Sequence, residues 1–114
     1  MKFEISDTFI SGVKTVRFDS YTDSRGSIYS TYIESAFREA NLPSFLHDKF
    51  AFNKYNVLRG IHFDPYTFKL VTCLSGCIRQ IAVDMRKDSA TYLSFVDYEM
   101  TGDAPFSLLL PPMV

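Results

Sequence analysis

Arg59 and His62 stand close together in the stretch NVLRGIHF, Asn56 to Phe63, among Val57, Leu58, Ile61 and Phe63. A guanidinium in such apolar company needs an anion or a dense set of acceptors to offset its desolvation, and a bound phosphate would serve. Imidazole is the side chain best suited to moving a proton near neutral pH. The pair therefore reads as an anion holder beside an acid/base group. Gly60 between them suits a bulge or the close approach of a ligand.

Lys69 opens the next apolar run after the turn DPYTF. If the two runs pair as a hairpin, its ammonium returns to the neighbourhood of His62. When a base removes a proton α to a ketone, the enolate oxygen needs a preorganised cation or donor, and losing one costs ~3 to 4 kcal/mol of barrier. Lys69 is the candidate for that role, or else a strand-edge lysine that snorkels to water. Arg25 lies in the tight turn DSRG, free either to stay solvated or to reach a pocket. Asn53 either hydrogen-bonds a ligand or closes a turn, and His47, in SFLHDKF, reads as a surface residue.

Other chemistries lack their residues. A metal site in a β-barrel would use an H-x-H pair, a following carboxylate and a later histidine. Here Asp64 stands where the second histidine would, and the only other histidine is His47, so no metal is expected. There is no G-x-S-x-G, no Walker loop and no G-x-G-x-x-G. Cys73 and Cys77 bracket a Leu-Ser-Gly turn, which admits a disulfide, but two reduced thiols are the simpler reading.

The elements that must carry these residues are mostly strands. Strand-like runs appear at Val13 to Phe18, Ser27 to Ile33, Phe50 to Asn53, Val57 to Phe63, Lys69 to Leu74, Ile78 to Asp84 and Tyr92 to Tyr98. If Val57 to Phe63 is a strand, alternation puts Arg59 on one face and His62 on the other. Turn residues separate the runs, and Gly76 suits the positive φ of a hairpin. One short helix is expected from about Glu34 to Ala40, with Glu34 and Arg38 one turn apart and Asn41 and Pro43 ending it. FSLLLPPMV reads as a buried strand entering a Pro-Pro turn, an edge that another protomer or further chain would cover.

The 114 residues make a single domain able to bury roughly 65% of its unfolded surface. With 11 Phe and 7 Tyr, the aromatic content of 16% favours strands. Twelve Lys and Arg against 13 Asp and Glu, with no basic run, argue against a nucleic-acid partner. The longest apolar stretch, Phe106 to Val114, is far shorter than the ~20 residues of a membrane span, and MKFEISD lacks the apolar core of a signal peptide. A soluble, cytoplasmic protein is expected.

With these residues in place, the chain resembles the dTDP-4-dehydrorhamnose 3,5-epimerase family, the RmlC-like cupins. The resemblance runs in order through DSRG (Asp23 to Gly26), VLRGIHF (Val57 to Phe63), KLVTCLSG (Lys69 to Gly76), VDMR (Val83 to Arg86), DSATY (Asp88 to Tyr92) and LLLPP. It implies an all-β jelly-roll barrel with one short helix, whose C-terminal part is missing from this chain. The implied activity is cofactor-independent epimerisation of a dTDP-4-keto-6-deoxyhexose by proton abstraction α to the 4-keto group. On this resemblance His62 is the base, Lys69 steadies the enolate, Arg25 and Arg59 hold the diphosphate or sugar, and Asn53 contacts the substrate. The implied partner is a second copy, paired by exchange of N-terminal strands. The resemblance places a second histidine, a tyrosine general acid and an aspartate that orients the base beyond Val114. Ser30 and Ala51 replace a glutamate and a glutamine of the family. These departures keep three alternatives: a 3,4-ketoisomerase, a single-carbon epimerase and a non-catalytic sugar-nucleotide-binding cupin.

Overall fold

A computed structural model describes residues 2–114. Among them the order of elements is β1 (Phe3–Asp7), β2 (Lys14–Phe18), β3 (Ser20–Asp23), β4 (Gly26–Tyr29), α1 (Glu34–Glu39), β5 (Lys69–Thr72), β6 (Cys77–Val83), β7 (Phe95–Thr101) and β8 (Ser107–Leu110). The chain divides into two units, one running to Thr31 and resuming at Phe63, the other Tyr32–His62.

The first unit is built on an antiparallel sheet in the order β1-β2-β8-β5. Strand β8 is buried at all four positions, as its unbroken Ser-Leu-Leu-Leu run implies for a strand covered on both faces. It pairs on one side with β2, Val16 opposite Ser107, and on the other with β5, Lys69 opposite Leu110 and Thr72 opposite Ser107. The fully buried Ser107 hydroxyl needs a partner and finds Thr72 Oγ1 at 2.6 Å. The β6–β7 hairpin contributes Ala82, Val96 and Met100 to the same core as Leu108, Leu110, Val13 and Phe106. Its alternation is regular, with Ala82 buried and the neighbouring Ile81 exposed. β3 and β4 form a separate two-stranded ladder closed by Asp23 to Gly26.

Between β6 and β7 the chain is clasped by Asp84, whose side chain is fully buried. Its carboxylate accepts from Arg86 Nε at 2.8 Å, Ser89 Oγ at 2.6 Å, Thr91 Oγ1 at 2.6 Å and the Arg86 main-chain N–H at 3.0 Å. Burial by itself would raise this carboxyl, but the hydrogen bonds from Arg86, Ser89 and Thr91 outweigh it and hold the group far below the usual carboxylate range. Its main chain is fixed as well, the N–H donating to Ser94 O and the carbonyl accepting from Leu93 N–H.

In the second unit α1 begins without a side-chain cap at Ile33 and buries Phe37. The Phe37 ring meets Tyr32 and Phe45 edge-on at centroid separations of 4.8 and 6.2 Å, a geometry favoured by the ring quadrupoles. Tyr32 Oη accepts from the Phe45 N–H at 3.1 Å. Asn41, at φ 57°, takes the left-handed position that ends the helix, and Leu42 N–H returns to Phe37 O. The expected Glu34–Arg38 ion pair forms one turn apart.

Two expected strands are absent. Phe50 to Asn53 and Val57 to Phe63 are irregular and pair with no strand among the described residues. Asn56 at φ 62° and Gly60 at φ 137° lie outside the β region, and a strand exists only where a ladder takes up its N–H and C=O groups. Leu58 and Ile61 are exposed there, so hydrophobicity alone misled. The alternation that put Arg59 and His62 on opposite faces therefore does not apply. The β5–β6 hairpin fails too, because β5 pairs with β8 and β6 with β7. Gly76 still adopts φ 75° in that turn, and Cys73 and Cys77 are free thiols, one buried and one exposed.

Asp84→Ala removes a buried, multiply bonded charge and should cost ~3 to 5 kcal/mol at pH 7. The folded carboxyl is depressed, so its stabilisation is full above the unfolded value of 3.8 and is lost as pH falls toward the folded one. Urea unfolding of wild type and variant at pH 7 and pH 3 checks this: the gap between them should narrow at pH 3.

Candidate functional site

Arg25 projects from the β3–β4 turn, where the spacing Asp-x-Arg sets its conformation. Asp23 Oδ1 accepts the Arg25 main-chain N–H at 2.8 Å, and Oδ2 accepts Nη2 at 2.6 Å. The Arg25 side chain beside it holds the Asp23 carboxyl below its ordinary range, and the same bond raises the guanidinium. Both side chains are solvent-exposed. An anionic ligand reaching Arg25 would compete with Asp23. Sequence reading missed Asp23, although an aspartate two residues before an arginine in a turn is a signal for this arrangement.

In the second unit Arg59 Nε donates to Asn53 Oδ1 at 2.6 Å. Asn53 neither closes a turn nor stands free; it fixes the plane of the guanidinium. Both residues and His62 are exposed. Held through Nε by a neutral acceptor, Arg59 keeps its charge and can present its Nη edge to a phosphate or carboxylate. The structure thus brings Arg59 and Asn53 together.

Lys69 lies in the first unit, half-buried at the start of β5. It shares a strand face with Val71, which packs on the core. Its Nζ donates to the Val114 carbonyl at 3.2 Å, so it is anchored to main chain rather than snorkelling free. Lys69 forms no ion pair among the described residues. Just before it, Asp64 Oδ1 accepts the N–H groups of Tyr66 and Thr67, each at 2.8 Å, and these bonds lower its carboxyl. That carboxylate is committed to shaping its own turn. Among the described residues no three His, Cys, Asp or Glu side chains gather as a metal donor set.

One open groove of about 350 Å³ is lined by Lys2, Phe3, Glu4, Arg17, Phe18 and Asp19. None of the five expected site residues borders it. Its lining mixes the carboxylates Glu4 and Asp19 with the cations Lys2 and Arg17, and the expected site residues lie elsewhere.

The family model for dTDP-4-dehydrorhamnose 3,5-epimerase matches residues 7–114. A dTDP-4-dehydrorhamnose 3,5-epimerase of Methanothermobacter thermautotrophicus is 31% identical over 113 residues, which are 96% of this chain and 61% of that protein. The Escherichia coli protein of the same name is 33% identical over 96 residues, 80% of this chain and 52% of its own. Among solved structures, the Legionella pneumophila dTDP-6-deoxy-D-glucose-3,5-epimerase, in complex with dTDP-4-keto-L-rhamnose, superposes with a TM-score of 0.89 at 26% identity, covering 98% of this chain and 62% of its own. The Sulfolobus tokodaii dTDP-4-dehydrorhamnose 3,5-epimerase gives 0.88 at 25%, covering 99% and 65%. The chain spans between 52% and 65% of the length of these four proteins.

Arg25 and Arg59 contact only exposed polar partners, so Arg25→Ala and Arg59→Ala should each leave the urea midpoint of unfolding close to that of wild type. Urea titrations check this; a clear fall in the midpoint for either variant would mean that these arginines hold the fold.

Proposed function

The chain belongs to the dTDP-4-dehydrorhamnose 3,5-epimerase family, and from that premise we propose that it epimerises a dTDP-4-keto-6-deoxyhexose without a cofactor. Its all-β architecture is the RmlC-like cupin jelly roll of the solved relatives. The observation that carries the proposal is the family match over residues 7–114, which takes in Arg25, Asn53, Arg59, His62 and Lys69 together.

In the proposed reaction a ring nitrogen of neutral His62 takes the proton from a carbon α to the 4-keto group. The C–H electron pair becomes the enolate π bond, and the carbonyl oxygen gains negative charge beside the Lys69 ammonium. Reprotonation of the same carbon from the opposite face inverts it and restores the ketone. Arg25 and Arg59 supply positive charge for the diphosphate, with Asn53 orienting Arg59. An imidazole suits the first step because its proton affinity lies near neutral pH. The proton returned to the opposite face comes ultimately from solvent, which is what exchange with D2O reads.

We infer two further properties from the same reading. β1 is an edge strand of its sheet, which suits pairing with the N-terminal strand of a second copy. The free thiols Cys73 and Cys77 fit a reducing, cytoplasmic setting, and no helix among the described residues is long and apolar enough to cross a membrane.

The test is deuterium uptake from D2O into C3 or C5 of dTDP-4-keto-6-deoxyglucose, read by NMR. His62→Ala should slow uptake by ~100-fold or more, and Lys69→Ala by ~100- to 1,000-fold. Wild-type uptake no faster than buffer alone would overturn the enzymatic reading. Calorimetric dTDP binding that survives in such a protein would leave a sugar-nucleotide binder.

A further inference from the structure

Met113 sits at φ 67°, a left-handed conformation that a residue with a side chain rarely adopts and that persists where its surroundings fix it. Both of its main-chain groups are engaged. Its N–H donates to Asp64 O at 2.9 Å, and its carbonyl accepts from Met85 N–H at 2.8 Å. The next residue, Val114, presents the carbonyl that receives Lys69 Nζ. A left-handed residue at 113 turns the chain so that three separate segments meet there: the start of the Asp64 turn, the end of β6 and the first residue of β5.

Met85 is in turn held by its neighbour. Asp84 is bonded through its carboxylate to Arg86, Ser89 and Thr91 and through its main chain to Leu93 and Ser94. The N–H that grips Met113 therefore comes from a rigid donor. On the other side, the turn is closely packed: a Cβ at Gly12 would meet Pro111 Cγ at 3.1 Å, and Gly12 itself has φ 85°. The turn has little room to relax.

We infer that Met113 is a positioning residue for Lys69, its left-handed turn being set by the Asp84 clasp through Met85. This rests on the reading of Lys69 as the cation that steadies the enolate. Lys69 has four rotatable side-chain bonds, and the hydrogen bond from its Nζ to Val114 O, together with the charge of the nearby Asp64 carboxylate, favours one placement of the ammonium. Moving residue 113 to the β region would swing that carbonyl away and release the ammonium.

Two substitutions separate this role from simple packing. Met113→Gly removes the same side chain but adopts positive φ freely, whereas Met113→Val removes less and disfavours positive φ. The Lys69 side-chain Cε and Nζ resonances report the ammonium's surroundings without any substrate. They should stay at wild-type positions in Met113→Gly and move in Met113→Val. In the deuterium-uptake assay, kcat should fall by about 10- to 100-fold in Met113→Val with KM little changed, and stay within about 2-fold in Met113→Gly. Should Met113→Val fail to fold, Thr91→Val, which removes one bond of the clasp, should move the same resonances. A folded Met113→Val or Thr91→Val with Lys69 resonances unmoved overturns the inference. Moved resonances in a protein whose wild type shows no deuterium uptake support the positioning and refute the epimerase reading, so the two failures are distinct.

Discussion

The ladder that β8 makes on both of its sides is the constraint from which the first unit follows. β2 and β5 are remote in sequence, and they lie in one sheet because Ser107–Leu110 hydrogen-bonds to both. Full burial of that strand also requires the β6–β7 hairpin as a cover, and Leu108 and Leu110 meet Ala82, Val96 and Met100 there. Burying a leucine side chain contributes ~1.5 to 3 kcal/mol, so a short strand buried throughout outweighs any surface ion pair in this chain. The same strand delivers the Pro111 to Val114 turn to Lys69 and Met85. Packing and candidate chemistry thus share one element.

Two Asp-x-Arg sequences show how burial decides what a motif does. In Asp23–Arg25 and in Asp84–Arg86 the aspartate accepts the main-chain N–H two residues on and grips the arginine side chain. The first pair is exposed, so solvent screens it and a ligand can compete for Arg25. The second has its carboxylate fully buried, with two hydroxyls completing its shell, and acts as a structural clasp. Local sequence is alike in the two places; only the cover differs.

Much of the first unit was legible in the sequence because its strands are bounded by turn chemistry and carry apolar residues where the core needs them. β2, β5, β6, β7 and the buried β8 were anticipated to within a few residues, as was α1 with its Glu34–Arg38 pair. β1 and β3 were overlooked, being short and mostly exposed. Val57 to Phe63 was misjudged because apolar residues suggest a strand, whereas a strand also needs a partner ladder and β-region dihedrals, and Asn56 and Gly60 break the second condition. For the candidate site, residue types and family motifs singled out Arg59, His62 and Lys69. The contacts that hold them were not legible: the Asn53 oxygen on Arg59 arises within an irregular segment, and the Val114 carbonyl on Lys69 depends on a left-handed Met113.

The central proposal is that this chain epimerises a dTDP-4-keto-6-deoxyhexose, with His62 as base and Lys69 steadying the enolate. A crystal structure of this chain with a dTDP-4-keto-6-deoxyhexose bound tests it most directly. The account predicts the keto oxygen within ~3 Å of Lys69 Nζ, an α carbon facing a ring nitrogen of His62, and phosphate oxygens on the arginines. A ketone turned away from Lys69, or a diphosphate seated on other residues, would contradict it.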